Sequence, residues 1–107
     1  MKIQTILIVD DSKPLVYLLK EHIAKSFKYV VEIAFNGKEA LDVLAGEEID
    51  LIILDIEMPV MDGLQLLAEL HNRKIWLPVI VLTAKKIDLS ETKFREFGIV
   101  DFIQKPF

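Results

Sequence analysis

The chain has 107 residues, 52% of them hydrophobic and 28% charged, with a net charge of −4 at pH 7 and no cysteine. That length suits one domain with a core of its own, and without cysteine there are neither disulfides nor thiolate metal sites. An acidic balance argues against nucleic acid as a direct partner of this domain, and no apolar run approaches the ~20 residues that span a membrane. The first residues, Met1 to Ile6, lack the small-residue cleavage site of a signal peptide, so the expected location is the cytoplasm.

Residues 3–9 read as a first strand, whose end Ile6-Leu7-Ile8-Val9 runs into Asp10-Asp11. A helix follows over 13–26, with Asp11 or Ser12 as its N-cap and Pro14 in its first turn. Its expected buried stripe is Leu15, Leu18, Leu19, His22, Ile23 and Ser26. Residues 29–35 form a second strand, in which Val31, Ile33 and Phe35 alternate with polar or small residues, and Asn36-Gly37 breaks it. A short helix over 38–45 is ended by Gly46. The third strand, 50–54, is continuously apolar after Asp50, as a strand covered on both faces should be, and it runs into Asp55. A third helix over 64–72 is expected to bury Leu64, Leu67, Ala68 and His71. Pro78 opens a fourth strand that closes at Thr83-Ala84. A fourth helix over 90–97 is capped by Ser90 and ended by Gly98, and a fifth strand over 100–103 leads to Lys105-Pro106. Strands alternating with helices predict an α/β domain built on one doubly wound parallel sheet.

In such a sheet the C-terminal ends of the strands converge on one edge, where ligands bind. Asp10, Asp11, Asp55, Thr83 and Lys105 all stand at strand ends. Together they can hold a divalent metal and accept a phosphoryl group. Three clustered acids call for either a cation or a raised pKa. Taken singly, each residue has a plainer role: turn aspartate, helix cap, strand-end threonine, solvated lysine. His22 and His71 have no partner at metal-ligand spacing and read as structural, and Trp76 belongs at the opposite end of the sheet.

Taken in order, Asp10-Asp11, the segment Asp55-Ile56-Glu57-Met58-Pro59-Val60-Met61-Asp62-Gly63, Thr83-Ala84, Phe102 and Lys105-Pro106-Phe107 resemble the receiver domain of two-component response regulators. The resemblance covers residues 3–107, so the whole chain, 1–107, is read as one receiver domain. It implies a five-stranded flavodoxin-like sheet of order 2-1-3-4-5. It implies a signalling switch rather than an enzyme acting on other substrates, one that catalyses only its own phosphorylation and slow dephosphorylation. Asp55 would accept the phosphoryl group from a histidine kinase or phosphotransfer protein. Mg²⁺ would be held by Asp10, Asp11, Asp55 and the backbone carbonyl of Glu57. Lys105 would pair with Asp55 or the phosphoryl oxygens. Thr83 would donate its hydroxyl, and Phe102 would turn inward, changing the surface around the fourth helix and fifth strand. Glu57 and Lys85 flank the pocket mouth with opposite charges and would slow loss of the phosphoryl group. The Lys105–Pro106 bond would be cis.

Two rival readings are a degenerate receiver serving only as an interaction module and a Mg²⁺-dependent aspartyl phosphatase, of which Asp55-Ile56-Glu57 is a partial motif. A nucleotide binder is disfavoured by the acidic loop after the first strand, which would repel phosphate. Receivers normally carry one more helix after the last strand, and here that final helix is missing. The sheet face it would cover is left to a segment beyond this sequence, to a partner, or to a second copy in a homodimer. Neither the kinase nor the downstream partner is named by the residues.

Overall fold

The apolar runs that end in polar residues pair side by side in parallel, and their order sets everything else. The computed structural model describes residues 3–58, 61–84 and 96–105. In chain order the elements are β1 (Thr5–Val9), α1 (Lys13–Phe27), β2 (Val30–Ala34), α2 (Gly37–Gly46), β3 (Leu51–Asp55), α3 (Gly63–Asn72), β4 (Val79–Thr83) and β5 (Ile99–Gln104). The five strands form one parallel sheet of order β2-β1-β3-β4-β5. That is the flavodoxin-like α/β arrangement expected from the sequence. Most of the helix expected over 90–97 lies outside the described residues, and among the described residues no helix follows β5.

Because side chains alternate across a strand, the sheet carries two cores. Leu7, Val9, Ile52, Leu54, Val79 and Val81 belong to the larger, with Ala40 of α2 and Leu66, Leu67 and Leu70 of α3. Ile6, Ile8, Val31 and Leu51 form the smaller with Val16 of α1. On the smaller side the register pairs Leu82 with Ile103, and Ile103 is exposed, as is Val100.

Two helix faces differ from expectation. In α1 the inward residue is Val16, backed by half-buried Leu19 and Ile23, while Leu18 is 65% exposed and His22 and Ser26 face solvent. Apolar residues at 15, 16, 18, 19 and 23 make two overlapping stripes, and the angle at which α1 crosses the sheet selects one. In α3 the buried set is Leu66, Leu67 and Leu70 rather than Leu64, Ala68 and His71, a turn of about one residue step around the helix. His71 instead meets the rings of Trp76 and Phe97 edge on, at 5.1 and 5.9 Å. Gly46 is the last residue of α2 and is followed by extended Glu47, so α2 stops without a left-handed glycine.

The end of the sheet away from Asp55 is pinned by two local devices. The Asp50 carboxylate accepts the Thr5 and Gln4 N–H groups at 2.9 and 3.0 Å, and the Asp50 N–H returns a bond to the Thr5 carbonyl at 2.9 Å. Those bonds, Thr5's first, hold the Asp50 carboxyl below its ordinary value of 3.8. Gly98 has φ +79°, and a Cβ there would lie 2.6 Å from the Leu77 carbonyl oxygen. Only glycine combines that conformation with that approach.

Asp50→Ala should lower the melting temperature at pH 7. A depressed carboxyl stabilises the fold above its unfolded pKa and loses that contribution as pH falls through the folded pKa. The gap to wild type should therefore hold above about pH 4 and close as pH falls below 3.8, as read from thermal melts across pH. Gly98→Ala should cost about 1–3 kcal/mol, read from urea unfolding as a lower midpoint with an unchanged slope.

Candidate functional site

Strands β1 and β3 are neighbours, and their register sets Val9 opposite Leu54. The next residue on each strand is then a carboxylate, Asp10 beside Asp55. Asp10 is 0% exposed, Asp55 4% and Thr83 2%; they are the buried polar side chains among the described residues. Asp11 is exposed at the rim. Each of Asp10, Asp11 and Asp55 offers an oxygen within 4.8 Å of the others. Two unit charges at that spacing repel by about 3.5 kcal/mol at an effective dielectric of about 20.

Lys105 answers part of this charge. Its Nζ lies 2.8 Å from Asp10 Oδ2 and 3.6 Å from Asp55 Oδ2, so Asp10 is its nearer partner. The Lys105 N–H donates to the Thr83 carbonyl at 2.7 Å, which ties the lysine to the end of β4. Burial alone would lower the Lys105 pKa, but the hydrogen bond and charge of Asp10, with the charge of Asp55, raise it above 10.5. Backbone donors take up the other oxygens: Ser12 N–H reaches Asp10 Oδ1 at 2.9 Å, and Glu57 N–H reaches Asp55 Oδ1 at 3.2 Å. Ser12 occupies the N-cap position of α1 without a side-chain cap bond, so the side chain that orders this turn is Asp10.

Asp55 is pushed up to about 6, first by burial and then by the charge of Asp10, against the Glu57 hydrogen bond and the charge of Lys105, which pull it down. One ammonium facing three carboxylates leaves the cluster two charges negative. Three carboxylates with converging oxygens form the hard-oxygen set that Mg²⁺ takes in sites where it keeps several waters. The residues present fit that cation.

The register pairs Val81 with Phe102 and Thr83 with Gln104, which puts Thr83 and Phe102 on one face of the sheet. Phe102 is half-buried against the larger core. The Glu57 side chain is exposed. Lys85 and Pro106, and with them the pocket-mouth pair and the cis bond, lie outside the described residues. A residue whose role was not legible is Gly63. A Cβ there would stand 2.6 Å from the Asp55 carbonyl oxygen and 2.7 Å from Ile56 Cα. Its only signal in the sequence was the Asp62-Gly63 pair.

The model of the response regulator receiver domain family matches residues 6–107. The alkaline phosphatase synthesis transcriptional regulatory protein PhoP of Bacillus subtilis (strain 168) is 37% identical over 102 residues, which are 95% of this chain. The chain spans 42% of that relative's length. Among solved structures, the receiver domain of the Francisella response regulator 1452 is 32% identical with a TM-score of 0.85, over 97% of this chain and 85% of that one. The response regulator TrrA of Thermotoga maritima, in complex with Mg²⁺–BeF, is 34% identical with a TM-score of 0.81, over 98% and 89%. A buried carboxylate pair at a parallel sheet edge, a lysine reaching it from the last strand, and a family match over nearly the whole length converge on one conclusion: the chain belongs to the response regulator receiver domain family.

Proposed function

We propose that residues 1–107 form one receiver domain that works as a phosphorylation-activated switch, with Asp55 as phosphoacceptor. The observation that carries this reading is the convergence of Asp10, Asp11 and Asp55 with Lys105 set against them. A histidine kinase or phosphotransfer protein would supply the phosphoryl group from a phosphohistidine. An Asp55 oxygen attacks phosphorus, the P–O bond forms as the P–N bond breaks, and the imidazole nitrogen leaves with the electron pair and takes a proton from water. Asp55 must be ionised to attack, and the Glu57 N–H and Lys105 favour that state.

The TrrA complex with Mg²⁺–BeF supports placing Mg²⁺ on Asp10, Asp11, Asp55 and the Glu57 carbonyl. When bound, Mg²⁺ supplies the positive charge that lets an anionic phosphoryl group approach this acidic pocket. Lys105, 3.6 Å from Asp55, is within reach of the phosphoryl oxygens and stabilises charge on them. Thr83 donates its hydroxyl to one of those oxygens, and Phe102, on the same sheet face, follows by turning inward and altering the surface around β5. Without a tyrosine hydroxyl, Phe102 has no outward hydrogen bond to give up. Glu57 and Lys85 screen the phosphoryl group from water, an effect of at most about 1 kcal/mol.

Incubation with acetyl phosphate and Mg²⁺ should add one phosphoryl group, read by intact mass. Neither Asp55→Asn nor chelator-treated protein should show it. A folded wild-type protein that gains no mass would overturn this reading and leave an interaction module. A second expectation concerns the metal-free protein. An acid whose folded pKa is raised penalises the fold when ionised; the penalty is complete above about 6 and gone below 3.8. Asp55→Asn should therefore melt higher than wild type at pH 8, and the advantage should fade as pH falls from 6 towards 4.

A further inference from the structure

The connection that leaves β3 is held by two glycines, and one of them belongs to a different part of the chain. Within the connection, the Gly63 N–H donates to the Ile56 carbonyl at 2.8 Å. Across to α2, the Gly37 N–H donates to the Met61 carbonyl at 3.1 Å. Gly37 is buried, and a Cβ on it would stand 2.6 Å from Met61 Cγ and 2.9 Å from both Met61 Cβ and the Met61 carbonyl oxygen. No side chain fits there unless Met61 moves. Met61 is itself packed against the larger core, so it has little room to yield.

The turn that presents Gly37 is fixed from both sides. Asn36 Oδ1 accepts the Glu39 N–H at 2.9 Å, and Glu39 Oε1 accepts the Phe35 N–H at 2.9 Å. At the other end of the same connection, the Glu57 N–H holds Asp55 Oδ1. The start of α2 therefore holds Met61, and two residues further on Gly63 is bonded to Ile56 and pressed against the Asp55 backbone.

We propose that Gly37, on an element that gives no group to the site, is a positioning residue: its grip on Met61 sets the β3–α3 connection in the shape that lets Asp55 and Glu57 bind a divalent cation. The proposal rests on the reading of Asp10, Asp11 and Asp55 as a cation site. Groups that hydrogen-bond a metal's ligands commonly change its affinity by 10–100-fold. Gly37 stands further out, acting through Met61, so the low end of that range is expected. Linkage is reciprocal, so a contact that favours the cation is strengthened by the cation to the same degree.

The test is Mg²⁺ titration of wild type, Gly37→Ala and Ile49→Val by calorimetry, with folding checked by circular dichroism. Ile49→Val, a core change ahead of β3, controls for general destabilisation. Gly37→Ala should bind Mg²⁺ about tenfold more weakly while Ile49→Val binds as wild type does. Equal weakening in both variants, or a folded Gly37→Ala within twofold of wild type, overturns the proposal. Wild type that binds no Mg²⁺ overturns the cation site itself, a distinct failure. Amide exchange in wild type decides the matter even if Gly37→Ala does not fold. Saturating Mg²⁺ should slow the Gly37 amide about tenfold more than that of Glu47, which is bonded at the far end of α2. Equal slowing at the two amides overturns the proposal.

Discussion

Like charges forced together are the constraint on which this domain depends. Parallel pairing of β1 and β3 fixes Asp10 next to Asp55 whatever their mutual repulsion, because the strands are held by the apolar residues behind them. Leu7, Ile8, Val9, Ile52 and Leu54 are fully buried, and fully burying one such side chain contributes about 1.5–3 kcal/mol. Set against about 3.5 kcal/mol for a carboxylate pair, a few of these residues outweigh the repulsion. The core thus holds an edge of the sheet in a state that charge alone would disperse. That stored repulsion makes the edge receptive to positive charge, and Lys105 satisfies only part of it.

The same constraint explains the division of labour between the two ends of the sheet. At the acidic end the polar groups are buried and closely paired. At the other end the contacts are those of a scaffold: Asp50 clamping the start of β1, Gly98 pressed on Leu77, and Trp76 against His71. Strand direction accounts for the difference, since every strand begins at one end and finishes at the other.

The strands and their polar end residues were legible in the sequence from one-dimensional signals, apolar runs of strand length each stopped by a particular polar residue. The order of the strands in the sheet came only with the resemblance to receiver domains. The inward faces of α1 and α3 were not legible. Val16 and Leu18 are equally apolar, and the choice between them is made by how the helix lies across β1 and β2. No spacing rule contains that angle. In α3 too, packing rather than spacing selects Leu66 and Leu70 over Leu64 and His71. The preference of Lys105 for Asp10 over Asp55 depends on a difference of under 1 Å between two carboxylates, finer than strand-level reasoning resolves. The tight approaches of Gly63 and Gly37 are visible only once the β3–α3 connection has been folded against its neighbours.

The bond between Lys105 and Asp10 joins residues 95 positions apart, close to the full length of the chain. Contacts of such separation close late, because the entropy of the intervening chain must be overcome before they can form. The acidic edge can assemble around Asp10 and Asp55 as soon as β3 docks on β1, but its cation arrives only when β5 has taken its place at the opposite side of β4. During synthesis Lys105 is added about 50 residues after Asp55 and later still than Asp10. A nascent chain therefore holds its carboxylates without their counter-charge, and the pocket reaches its paired state only in a finished domain.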